Sequence, residues 1–131
     1  MAESNLELAG RAYAALAEDD LDGFLALIEP DVEFSSLIAE AEGTTYRGHD
    51  GVREWWHTIK AGFGGLRWDV EEIREVGEDG VLVRSRVIGS LGGAPLAQPI
   101  FTAARGRAGK IAWWGVFRTE DEALDGLAAR R

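Results

Sequence analysis

The 131-residue sequence contains no cysteine. Disulfides, a thiol nucleophile and thiolate metal sites are thereby excluded, and the absence fits a reducing compartment, so a cytoplasmic location is expected. Prolines number only three and no low-complexity run is present, which argues against a disordered chain or a linker. No uncharged apolar stretch reaches the roughly 18–20 residues of a spanning helix. The start, MAESNLELAG, has neither the basic nor the apolar region of a secretory signal. Basic residues are in deficit: 14 Lys and Arg face 23 Asp and Glu, a formal net charge of −9. That balance repels phosphate backbones and anionic lipid surfaces, so neither nucleic acid nor membrane is an expected partner.

What remains is an ordinary globular composition, 46% hydrophobic and 28% charged, of a length that suits one domain over residues 1–131. Leu6, Ala9, Tyr13 and Leu16 recur at helical spacing. A second helix is expected after Asp19 or Asp20 as cap, with Leu21, Phe24, Leu25 and Ile28 as its stripe and the Glu29–Pro30 step as its end. DVEFSSLI alternates as a short strand. GHDGVREWWHTIK reads as a third helix capped by Asp50, with Val52, Trp55, Trp56 and Ile59 facing inward. From residue 66 the period changes to strands, 66–76, 80–91, 95–105 and 110–118, separated by GEDG, GG and GRAG as turns. Thr119 and Glu122 form a capping box for a terminal helix. Helices followed by four antiparallel strands predict an α+β fold with the helices packed on one face of the sheet.

The segments AEDDLDGFLALIEPDVEFSS, YRGHDGVREWW and APLAQPIFTAARGRAGKIAWWGVF carry a resemblance to a known family. In order and spacing, from about Leu6 to Leu124, the chain resembles the SnoaL-like, ketosteroid-isomerase-like group of the nuclear transport factor two superfamily. The resemblance implies a cone-shaped domain, N-terminal helices on a strongly curved, mostly antiparallel sheet, with an internal apolar pocket and homodimerisation. It implies no single reaction, since the group hosts isomerases, cyclases, dehydratases, hydrolases and non-catalytic binders. The positions matching the isomerase base, its oxyanion tyrosine and its protonated aspartic acid are Ser36, Ala12 and Phe101. A serine without a base takes no proton from carbon and phenylalanine donates nothing to an enolate, so ketosteroid isomerisation is not expected. Neither the paired histidines of the dehydratase pattern nor the Asp–Arg–Asp set of the epoxide-hydrolase pattern is placed.

On GVLVRSRVIGS, Leu82, Arg84, Arg86 and Ile88 share one face and Val81, Val83, Ser85 and Val87 the other. Alternation alone buries the valine face and leaves the arginines in water. The family register instead turns Arg84 and Arg86 into the pocket, where their charge must be matched by a ligand carboxylate or phosphate, or by Glu33, Glu40 or Glu42. Sequence leaves both open. By the same register Trp114 and Arg118 face the cavity and Trp113 and Phe117 the dimer side, while the plain alternative makes both tryptophans core. Trp55 matches a pocket-closing aromatic, and Gln98 is a candidate orienting donor. Asp50, Glu54 and His57 lie on the polar side of their helix and are expected to face water, and His49 to help end the loop before it. The acidic run AEAEG is expected to be solvated. The expectation is therefore a small, partly apolar organic ligand, possessing an anionic group if the arginines face inward, held without cofactor or metal. The candidate wall is Tyr13, Ser36, Trp55, Arg84, Arg86, Gln98, Trp114 and Arg118. Cofactor-independent acid–base turnover, a non-catalytic binding, dimerisation or accessory role, and protein–protein docking are the functional expectations.

Overall fold

The computed structural model describes residues 4–35 and 45–129. Helix α1 (Asn5–Ala17) begins where the Ser4 hydroxyl accepts the Glu7 N–H, satisfying an otherwise unpaired first-turn donor. It buries Leu8, Ala9, Ala12, Tyr13, Ala15 and Leu16, whereas Leu6, expected on that stripe, lies in the first turn ahead of the packed stretch and is 38% exposed. Asp20 caps α2 (Leu21–Ala26) by accepting the Gly23 N–H at 2.9 Å.

This second helix stops earlier than the Glu29–Pro30 step predicts. Strand β1 (Ile28–Ser35) already begins at Ile28, and Pro30 sits within it where the pairing register shifts. A proline is tolerated at such an irregularity, and the strand buries Ile28, Val32 and Phe34 completely. Of the predicted strand DVEFSSLI, Ser36 and the residues after it lie outside the described residues, as do Glu40 and Glu42.

A two-residue strand β2 (Tyr46–Arg47) leads into α3 (Gly48–Gly62). Since the helix starts at Gly48, Asp50 is not its cap but a first-turn acid favourable to the helix dipole. His49 Nε2 lies 2.9 Å from the Ile28 carbonyl and ties the helix entrance to β1. Val52, Trp55, Trp56 and Ile59 are all buried on its inward side.

Strands β3 (Phe63–Val76), β4 (Gly80–Leu91), β5 (Ala94–Arg107) and β6 (Lys110–Phe117) follow as a meander, and α4 (Glu120–Ala129) closes the chain. Gly92–Gly93 and Ala108–Gly109 all have positive φ, as tight two-residue hairpins require. Thr119 and Glu122 form the expected capping box, with the Glu122 N–H donating to Thr119 Oγ1.

The strand order is β2-β1-β6-β5-β4-β3, antiparallel except for the parallel β1–β6 pair. This corrects the predicted cone. The sheet is mixed and open, neither strongly curved nor closed: β2 and β3 are its two ends and are not paired with each other. A barrel-like closure needs that pairing, and a two-residue β2 offers little edge for it.

The sheet's two faces are covered unequally. The inner face packs against α1, α2 and α3 and holds the main core. On the outer face α4 covers a smaller cluster of Leu82, Ala103, Trp113, Ala123 and Leu127. Gly126 allows that approach, since a Cβ there would lie 2.6 Å from Phe117 Cζ. No helix among the described residues is long and apolar enough to cross a membrane.

Candidate functional site

Strand alternation determines which side chains reach the helical layer. On β4, Val81, Val83 and Ser85 are buried inward, and on β5 their inward neighbours are Ile100, Thr102 and Ala104. On β6, Trp114 and Val116 point the same way, and on β1 so does Phe34. Helices α1, α2 and α3 lower Tyr13, Phe24, Trp55 and Trp56 onto this surface.

The result is a connected aromatic layer. Phe34 stacks on Trp114, with 5.7 Å between ring centroids and 6° between planes, and meets Trp55 at 4.6 Å. Phe24 reaches Trp114 edge-on at 5.8 Å, and Tyr13 contacts the same indole at 5.6 Å. Such ring pairs each add about 0.5–1.5 kcal/mol beyond the area they bury.

Set into this layer are polar atoms of two kinds. The Tyr13 hydroxyl donates to Thr102 Oγ1 at 2.8 Å, a buried bond joining α1 to β5. The indole N–H groups of Trp55 and Trp114 and the hydroxyl of Ser85 are buried too, but have no hydrogen-bond partner. Ser85 and Thr102 are the only polar residues in the described core that are not aromatic. Burial pushes the Tyr13 phenol up to about 12, opposed by the neighbouring hydroxyls of Thr102 and then Ser85. Ser85 Oγ thus lies near enough to favour a phenolate without making a well-formed hydrogen bond to it. The phenol stays neutral at ordinary pH and can only donate or accept a hydrogen bond.

Toward the ends of β3, β4 and β5 the inner face becomes half-exposed. Trp68, Val87 and Gln98 lie side by side there across three strands, Trp68 opposite Val87 and Val87 opposite Gln98. They form an apolar step, with one amide, leading toward the buried hydroxyls.

The chain matches the SnoaL-like domain family over residues 9–125. It belongs to the SnoaL-like family. Among solved structures, this SnoaL-like chain resembles TerC co-crystallised with polyporic acid, with 26% identity, 95% of this chain and 98% of that one covered, and a TM-score of 0.78. It also resembles an NTF2-like protein of unknown function from Burkholderia pseudomallei (20% identity, 94% and 96% covered, TM-score 0.79). A third is an NTF2-like protein from Burkholderia thailandensis (21% identity, 96% and 98% covered, TM-score 0.80). The two Burkholderia likenesses establish the fold alone. No curated protein matches the chain.

The structure brings together Tyr13, Trp55 and Trp114 in the buried layer and places Gln98 at its half-open end. The three arginines are elsewhere, which corrects the pocket placement taken from the family register. Arg84 and Arg86 project from the outer face, opposite to Ser85, and are exposed. The Arg84 side chain is 47% exposed and lies 3.7 Å from Glu71, while Glu72 and Asp69 face Arg84 and Arg86 across the β3–β4 pair. Burying two guanidinium groups without countercharges is costly, whereas the valine face gains from burial. Arg118 follows the end of β6 and is exposed as well. Ser36 lies outside the described residues. Asp50, Glu54 and His57 are exposed on α3.

The sequence reading did not name Thr102 or Phe34 as parts of this layer, and placed Phe24 only on its helix stripe and Ser85 only on the valine face, without a role in the site. Parity offered a signal for Ser85, a lone hydroxyl on the valine face of β4. It also missed Arg105 on the outer face, whose guanidinium pairs with Asp79 and donates to the Leu127 carbonyl at 2.7 Å, fastening α4. Clefts of about 600 and 300 Å³ lie to either side of it.

Proposed function

We propose that this SnoaL-like protein binds a small, planar, largely apolar organic molecule between the helices and the inner face of the sheet. The observation that carries this reading is the set of buried donors left unpaired in an aromatic layer: Trp55 Nε1, Trp114 Nε1 and Ser85 Oγ. A core selected for stability alone has no use for such groups, because each unpaired buried polar atom costs about 1–3 kcal/mol. The likeness to TerC, crystallised with polyporic acid, supports a small organic ligand.

Binding is placed ahead of turnover. The described inner-face hydroxyls of Tyr13, Ser85 and Thr102 orient a ligand and donate to an oxygen that gains negative charge, but do not abstract a proton from carbon near neutral pH. Cofactor-independent isomerisation, cyclisation or hydrolysis rests on the resemblance alone. A homodimer rests on it too, and light scattering reads the mass.

A thermal-shift screen tests the proposal, with planar aromatics, flexible carboxylates and steroids offered to the wild type. Ligand at a hundred times its Kd adds about 2.7 kcal/mol, a shift of several degrees. Planar aromatics are expected to give it, with tryptophan fluorescence changing in parallel. If no planar aromatic binds to the folded protein, the reading fails.

A further inference from the structure

On the outer face, the β3–β4 turn and the last turns of α4 bound a cleft of about 600 Å³, within the range of small-molecule pockets. Its walls are chemically divided. Val76, Leu124 and Leu127 supply an apolar side, Glu78 and Asp79 two carboxylates, and Arg105 a guanidinium. We infer that this cleft is a second binding site, separate from the inner layer, and that it takes a zwitterion: a small α-amino acid with an aliphatic side chain.

The charged wall is held in place before any ligand arrives. Asp79 pairs with Arg105, and its carbonyl accepts the Gly106 N–H at 2.9 Å, so the turn and β5 are joined twice. Arg105 also donates to the Leu127 carbonyl at 2.7 Å. Its Nε–H, by contrast, is buried with no partner among the described residues, which leaves the guanidinium one donor for a carboxylate. Asp79 and Glu78 keep acceptor capacity for an ammonium, the Asp79 side chain being 51% exposed and Glu78 exposed at the rim. The C-terminal end of α4, with no basic residue in its last turn, adds to the pull on an ammonium. A bare carboxylate meets two carboxylates here, within a protein of net charge −9, and a bare amine meets Arg105. A ligand carrying both charges has each of them matched. Because the Arg105 and Asp79 charges are in direct contact, the matching charges must also be neighbours, as they are on the α-carbon of an amino acid. The aliphatic side chain then lies on the apolar side, next to where Leu127 packs so closely on Gly80 that a Cβ there would lie 2.8 Å from Leu127 Cδ2.

Isothermal titration calorimetry on the full chain tests this with L-leucine and three relatives of it. One is 4-methylpentanoate, which lacks the amine, and another is 3-methylbutylamine, which lacks the carboxylate. The last is 6-aminohexanoate, an isomer of leucine with its charges at opposite ends. Leucine is expected to bind about tenfold tighter than each of the others, the worth of one charge-assisted hydrogen bond. Amide chemical-shift changes on leucine binding should centre on Gly77, Gly80 and the last turn of α4. Arg105→Met should lower leucine affinity about tenfold without lowering that of 3-methylbutylamine. Glu78→Gln should lower leucine affinity about threefold without lowering that of 4-methylpentanoate. Placed at an exposed position, Glu78→Gln keeps the outcome interpretable if Arg105→Met loosens α4. No leucine binding up to about 10 mM, or leucine bound no better than its isomer or either single-charge relative, overturns the inference. So do shift changes that leave the β3–β4 turn and α4 untouched. Each of these results leaves the planar-ligand reading of the inner layer to its own screen.

Discussion

Ser85→Ala deletes a single oxygen at a fully buried position on β4, where it has no hydrogen-bond partner. Stranding a hydroxyl away from water costs about 1–3 kcal/mol, and the small void left by one oxygen returns only part of that. The variant should therefore be more stable than wild type by about 1–2 kcal/mol in the absence of ligand. Thr102→Val gives the opposite sign at a neighbouring site on β5. It preserves shape but removes the acceptor of the Tyr13 hydroxyl, leaving a buried phenol unpaired and costing about 1–3 kcal/mol. Urea unfolding of the three proteins reads both effects, with unchanged m-values as the sign that only stability has moved. Destabilisation of Ser85→Ala by more than about 1 kcal/mol would refute the reasoning. It would mean that the hydroxyl is bonded to the Tyr13 phenol in the native protein.

Alkaline pH offers a second handle. The unfolded phenol ionises near 10 and the folded one near 12, so below about 10 both are neutral and Tyr13 contributes nothing. Between about 10 and 12 the unfolded chain releases a proton that the folded chain retains, and stability falls by roughly 2–3 kcal/mol across that window. Tyr13→Phe should lack this component, and an identical pH slope in the two proteins would discard it. Arg84→Ala combined with Arg86→Ala should alter stability by less than about 1 kcal/mol and leave ligand affinity unchanged, since the groups are exposed and the Glu71 contact is long. A loss beyond about 2–3 kcal/mol would indicate buried, paired charges. Arg105→Met removes the bonds to Asp79 and the Leu127 carbonyl from a side chain only 15% exposed, and should cost about 2 kcal/mol. Hydrogen exchange should show α4 losing protection first, and unchanged protection there would contradict its fastening by Arg105.

The elements of the fold were legible because their signals are local. Thr119 and Glu122 announce α4, Gly92–Gly93 and Ala108–Gly109 sit at hairpin turns, and the stripe of Val52, Trp55, Trp56 and Ile59 is buried as its spacing predicts. The start of β1 was hidden by a proline that reads as a helix stop but occupies a strand irregularity. Overall shape was harder, because whether a sheet closes depends on its two edges, and no local pattern reports that β2 is only two residues long. Within the site, alternation along β4 pointed to the valine face as buried, while the family register turned Arg84 and Arg86 inward. The face adopted is the one that the cost of burying charge favours. Thr102 was not legible at all. Only the pairing of β4 with β5, and the seating of α1 above both, brings it to the Tyr13 hydroxyl.

The inner layer combines close aromatic packing with incomplete hydrogen bonding, and these have different consequences. Packing among Phe24, Phe34, Trp55 and Trp114 stabilises the fold whether or not a ligand is present. The unpaired donors destabilise it until an acceptor arrives. Stability without ligand and affinity for an accepting ligand should consequently move in opposite directions when Ser85 becomes alanine. A group retained only for packing shows no such opposition, because its removal lowers stability and leaves the preference for an accepting ligand unaltered. Measured together on Ser85→Ala, the two quantities separate a binding layer from a core that is merely imperfect. A variant more stable than wild type with undiminished affinity for a planar aromatic ligand would assign the hydroxyl to the imperfect core.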